Sequence, residues 1–91
     1  MIKHCIIKIY GQVQDVGFRY SAQQKADGLG ITGYVRNSAD GSVDIEAEGE
    51  AGALEKFISW CRQGPPPAQV ADVEYEYTDQ ARNFTSFNIL P

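Results

Sequence analysis

Residues 31–49, I-T-G-Y-V-R-N-S-A-D-G-S-V-D-I-E-A-E-G, decide the architecture. Two extended stretches, 31–39 and 42–49, bracket Asp40-Gly41, a dipeptide suited to a tight hairpin because both residues tolerate positive φ. In the second arm Val43, Ile45 and Ala47 take one face and Asp44, Glu46 and Glu48 the other. Such alternation belongs to a sheet packed on one side and wet on the other, so helices are expected on a single face.

Working outward, His4 to Tyr10 alternates with Cys5, Ile7 and Ile9 on one side and predicts a strand ahead of the hairpin. Between that strand and the hairpin, Phe18, Ala22, Ala26 and Leu29 share one helical face, and Gly28 and Gly30 supply a stop. Beyond the hairpin, Ala53, Leu54, Phe57, Ile58 and Cys61 recur at helical spacing until Gly64 and the run Pro65 to Pro67. Ala71, Val73, Tyr75 and Tyr77 alternate with Asp72, Glu74 and Glu76 as a fourth strand, and Phe87 with Ile89 marks a short last one. The order strand, helix, two-stranded hairpin, helix, strand is the split βαβ arrangement. It predicts an α+β, ferredoxin-like sandwich (βαββαβ), an antiparallel sheet with two helices on one face. That fold hosts many unrelated activities, so function has to be read from a site.

At 91 residues with 43% hydrophobic composition, the chain is expected to form one domain over residues 1–91. Eight basic against twelve acidic side chains give a net charge of −4, a field that repels nucleic acid and anionic lipid. A site for an anion must therefore be local. Met1 to Tyr10 is too short for a signal peptide or a membrane span, so a cytoplasmic protein without membrane attachment is expected. Cys5 and Cys61 are expected as two buried thiols, with a disulfide the alternative.

Residues 11–19, G-Q-V-Q-D-V-G-F-R, join a strand end to a helix start. Backbone N–H groups are unpaired there and the helix dipole is positive, which favours an anion. Gly11 and Gly17 let the backbone curl so that N–H groups point inward, and Arg19 in the first helical turn adds a two-pronged contact to phosphate oxygens. Glycine-containing turns of this sort are common, and on these residues alone a mere turn is as good a reading.

The same residues resemble the phosphate-binding signature of the acylphosphatase family: glycine, then valine, glutamine, a small residue, valine, any residue, phenylalanine and arginine. A second family signature is matched at 33–49, with Gly33, Tyr34, Asn37, Gly41, Val43 and Gly49 in register. Two motifs in the right order on a chain of this size extend the resemblance over essentially the whole sequence. It implies hydrolysis of carboxyl-phosphate anhydrides to carboxylate and inorganic phosphate by direct in-line attack of water. Arg19 and the loop residues Gln14, Asp15, Val16, Gly17 and Phe18 would bind the phosphoryl group, and Asn37 would orient the water. No metal, cofactor or covalent phosphoenzyme is implied. The expected ligands are small acyl phosphates such as acetyl phosphate, carbamoyl phosphate or 1,3-bisphosphoglycerate, with inorganic phosphate or sulfate able to occupy the site. A monomer is expected.

Elementary chemistry agrees with so sparse a site. The leaving carboxylate has a conjugate-acid pKa of about 4 to 5, so it departs without a proton at neutral pH. The transition state is loose with charge spread over the phosphoryl oxygens, so electrostatic holding and alignment of water supply most of the acceleration. A phosphate monoester would need a metal, an acid or a covalent nucleophile. His4 is the only histidine, and no H-E-x-x-H or C-x-x-C spacing occurs.

Other features have plainer readings. Tyr34, Tyr75 and Tyr77 are read as packing aromatics, the row Asp44, Glu46 and Glu48 as a solvated strand face, and His4 as a surface or edge residue. Asp15 departs from the family, which carries glycine there. Its carboxylate either opposes phosphate or caps the helix and points away. The departure keeps open a binding module with little turnover as the alternative function. A single-stranded RNA reader of the same fold is disfavoured by acids where such readers expose aromatics.

Overall fold

The computed structural model describes all 91 residues. Seven elements follow one another: β1 (Ile2–Gln12), α1 (Phe18–Leu29), β2 (Thr32–Asn37), β3 (Val43–Glu50), α2 (Ala51–Gln63), β4 (Gln69–Thr78) and β5 (Phe87–Ile89). The strands form one sheet in the order β4-β1-β3-β2-β5. The first four are antiparallel neighbours, and β5 adds a parallel edge to β2. This is the ferredoxin-like arrangement with one extra strand, and no helix is long and apolar enough to cross a membrane.

The core lies between one sheet face and the two helices. Cys5, Ile7 and Ile9 of β1 and Val43, Ile45 and Ala47 of β3 are buried there against Phe18, Ala22 and Ala26 of α1 and Leu54, Phe57 and Cys61 of α2. Each is the inward member of its sequence pattern, so burial of period-2 and period-3.6 stripes against each other accounts for the two layers. Both cysteines are buried free thiols. Burial pushes the Cys5 thiol up to about 11 and Cys61 higher still. Gly33 is required where β2 pairs with β3: its φ is +140°, and a Cβ there would stand 1.9 Å from the Glu46 carbonyl oxygen.

Three expectations are corrected. The hairpin does not turn on Asp40-Gly41 alone, because Asn37 pairs with Val43 and residues 38–42 form the loop. Ser38 N–H donates to Ser42 O, and the Asp40 carboxylate accepts from the Ser42 N–H and hydroxyl. Only Gly41 takes positive φ. Asp40 thus spends its side chain closing a wider loop, and these bonds from Ser42 hold its carboxyl well below the usual range.

The outer sheet face is also not simply wet. β4 and β5 sit at opposite edges, so the connector from 79 to 86 must cross the sheet, and the helices already occupy the other face. Glu46 and Glu48 are consequently buried, at 8% and 3% exposure, and so is His4 at 3%. Glu48 accepts the N–H groups of Arg82 and Phe84 at 2.5 and 3.1 Å. Glu46 Oε1 lies 2.8 Å from His4 Nε2 and accepts from Arg82 Nη1 at 3.3 Å. A His4 ring with its proton on Nε2 donates to Glu46 and accepts from the Thr78 hydroxyl at Nδ1. Glu48 thus satisfies two of the connector's backbone N–H groups, and Glu46 holds the connector through the Arg82 side chain.

Burial alone would raise the Glu46 carboxyl, but hydrogen bonds from Tyr34 and His4 and the Arg82 charge outweigh it, and its pKa is lowered. A carboxyl lowered by folding contributes stability above its unfolded pKa and loses it as pH falls through the folded value. Glu46→Gln is therefore expected to be less stable than the wild type at neutral pH. The difference should shrink on acidification below the ordinary carboxylate range, as read by urea denaturation at successive pH values.

Candidate active site

Residues 13–17 leave the sheet two residues beyond a shift in the β1–β4 register between Tyr10 and Gly11. Gly11 is at φ +126°, and a Cβ there would lie 2.2 Å from the Gln69 carbonyl oxygen, so this exit requires glycine. Beyond it φ is positive at Asp15 (61°) and Gly17 (79°) and negative at the residues between and after. Residues of alternating hand turn successive N–H groups toward one side, the geometry of an anion-binding nest. The helix N-cap is Gly17, with no side chain capping it. None of the N–H groups from Gln14 to Arg19 donates to a protein acceptor, and the helical ladder begins with Ser21 N–H to Gly17 O at 3.0 Å.

The loop and the start of α1 border a cleft of about 190 Å³ lined by Val13, Asp15, Gly17, Phe18, Arg19, Tyr20, Asn37 and Ile89. Arg19 is half-buried and donates from Nη1 to Leu90 O at 3.0 Å. It enters none of the chain's ion pairs, so the rest of its guanidinium is free for an anion. Asn37 ends β2, and its side-chain carbonyl oxygen Oδ1 is buried with no hydrogen-bond partner. A buried acceptor left unmade costs about 1–3 kcal/mol, which a water donating to it would recover. The cleft therefore offers one cation, a row of amide donors and one isolated acceptor.

Of the residues singled out in the sequence, Asp15, Gly17, Phe18, Arg19 and Asn37 meet at this cleft. Gln14 and Val16 do not line it. The Gln14 side chain ties the loop to the hairpin instead, donating from Nε2 to Ser38 O and Ser42 O at 2.8 and 2.9 Å. Val16 packs against the core. Sequence reasoning missed Tyr20, Ile89 and the Leu90 carbonyl. Only the parallel pairing of β5 with β2 brings the last two here.

Asp15 does not cap α1. The residue is exposed and lines the cleft, its carboxylate makes no hydrogen bond or ion pair, and its left-handed backbone costs an aspartate about 1 kcal/mol relative to glycine. Asp15→Gly is expected to raise stability by about that amount and to tighten orthophosphate about five- to tenfold at low salt, less at high salt. Titration calorimetry at two ionic strengths measures the second effect, and equal constants in both variants would contradict it.

The family described as Acylphosphatase matches residues 5–89. An acylphosphatase of Methylococcus capsulatus is 40% identical over 89 residues, covering 98% of this chain and 97% of its own. The crystal structure of acylphosphatase from Bacillus subtilis superposes with a TM-score of 0.92 at 36% identity, each chain covered to 100%. The structure of an acylphosphatase from Coxiella burnetii gives 0.94 at 31% identity, covering 98% of this chain and 93% of that one. Family match, sequence identity and fold converge, and the chain belongs to the acylphosphatase family and hydrolyses acyl phosphates.

Proposed function

We propose that Arg19 and the N–H groups of residues 14–19 bind the phosphoryl group, and that Asn37 aims the water that attacks it. The observation that carries this reading is the unbroken run of N–H donors without acceptors beside a guanidinium outside every ion pair. The bound dianion draws on the loop amides, the positive end of α1 and Arg19 together. Water donates one hydrogen to Asn37 Oδ1, turning an oxygen lone pair toward phosphorus. A P–O bond forms as the bridging P–O bond breaks, the carboxylate leaves with the electron pair, and the water's protons pass to phosphate and solvent. As negative charge shifts onto the phosphoryl oxygens, fixed donors already face them, so little reorganisation is required. The leaving group needs no acid, and the reading assigns no role to a metal.

The ligands proposed are small acyl phosphates, with orthophosphate or sulfate occupying the same cradle. We assign residues 1–91 to one domain acting as a monomer in the cytoplasm. Two features support that setting: the buried Cys5 and Cys61 are thiols, and the free edge strand β4 carries Asp72, Glu74 and Glu76. An antiparallel pair of β4 edges about a two-fold at Glu74 would oppose acid to acid.

The test is hydrolysis of acetyl phosphate in ¹⁸O-labelled water with excess chelator. Turnover that ignores the chelator and puts the label in phosphate supports attack at phosphorus. Label in acetate, or binding without turnover, contradicts it, the latter favouring the binding module.

A further inference from the structure

Resting on the active-site reading above, we propose that the mouth of the cleft selects acyl phosphates with an uncharged, apolar acyl group and discriminates against those whose acyl end carries a second anion. Two independent features of the rim carry the idea, one electrostatic and one apolar.

The charged residues lining the cleft are Arg19 and Asp15 only. Arg19 is committed to the transferred phosphoryl group. A second phosphate or carboxylate on the acyl end then has no cation to meet and lies near Asp15, whose carboxylate is exposed and outside every ion pair of the chain. Asp15 lines the cleft at the start of the cradle, and no lysine or arginine pairs with it to neutralise its charge there.

The apolar feature is contributed by two side chains. Tyr20 in the first turn of α1 is 63% exposed and Ile89 at the end of β5 is 37% exposed, among few large hydrophobic residues left in water. Both line this cleft. Neither is required by the core, whose α1 contacts are Phe18, Ala22 and Ala26. An acyl chain or ring emerging from the phosphoryl cradle covers them and releases their hydration, which an acetyl group is too small to do fully. Attraction for an apolar acyl group and repulsion of an anionic one act in the same direction, as selective sites commonly combine.

The experiment compares kcat/KM for benzoyl phosphate, acetyl phosphate and 1,3-bisphosphoglycerate in the wild type, Asp15→Asn and Tyr20→Ala. Ratios to acetyl phosphate within each protein, compared between proteins, cancel the intrinsic reactivity of the three anhydrides. Asparagine keeps the left-handed backbone and removes only the charge. Asp15→Asn is expected to raise the bisphosphoglycerate-to-acetyl ratio about fivefold at low salt, with the wild-type ratio rising as salt is added. Tyr20→Ala is expected to lower the benzoyl-to-acetyl ratio about tenfold while the bisphosphoglycerate ratio stays put. If either ratio is unmoved while acetyl phosphate is still hydrolysed, the selectivity proposal is overturned and the catalytic reading stands. Failure of the wild type to hydrolyse acetyl phosphate overturns both.

Discussion

Arg19→Ala is expected to lower kcat/KM for acetyl phosphate about a thousandfold and to abolish measurable orthophosphate binding while leaving the fold intact. The magnitude follows from what is removed. In the proposed geometry the guanidinium meets the phosphoryl oxygens and contributes to ground-state binding and more to the charge-dispersed transition state. Its loss leaves the loop amides and helix dipole facing a dianion without a full countercharge. Stability should change little, because the only protein bond lost is that from Nη1 to the Leu90 carbonyl, worth about 1 kcal/mol. Arg19→Lys should restore binding in part and rate poorly, because an ammonium supplies charge without the planar fork. Steady-state kinetics and phosphate titration on folded protein, checked by circular dichroism, separate these effects. A surviving rate would exclude Arg19 from the reaction.

Asn37→Ala should behave differently, lowering kcat about a hundredfold with orthophosphate affinity unchanged. In the proposed geometry Oδ1, an acceptor without a partner, receives a hydrogen from the water and none from the phosphate ion. What disappears is the fixed angle of attack, an orientation effect felt in the chemical step alone. Removing a buried, unpartnered polar atom should also leave stability unchanged or slightly raised. A rise in KM of the same size as the fall in kcat/KM would show that Asn37 binds substrate instead.

The layout of the fold was legible because burial imposes a period. Val43, Ile45 and Ala47 announced the packed face, and Phe18, Ala22 and Ala26 the helix that covers it. What covers the other face was not legible. The connector from Asp79 to Ser86 has no repeating pattern, and its path follows from where β4 and β5 lie, a property of the finished sheet. His4, Glu46 and Glu48 were therefore read as wet, although they are buried because the connector crosses them.

The site divides along the same line. Gly11, Gly17 and Arg19 lie within one short segment, so local backbone demands and the family signature both exposed them. Asn37 needed the signature, since an asparagine before Asp40-Gly41 reads as a turn residue, and only its closed-off carbonyl distinguishes it. Leu90 is 71 positions from the guanidinium it accepts from, and no local pattern marks it. Gln14, expected among the phosphate-binding residues, braces the hairpin with its side chain and does not line the cleft.

The central claim is that a phosphoryl anion sits in the cradle of residues 14–19. Titration of ¹⁵N-labelled protein with orthophosphate tests it most directly. The amide resonances of residues 14–19 and the Arg19 guanidinium should move together with one dissociation constant, and in Arg19→Ala the loop shifts should vanish. Shifts centred on any other part of the surface, with the loop amides silent, would contradict the account.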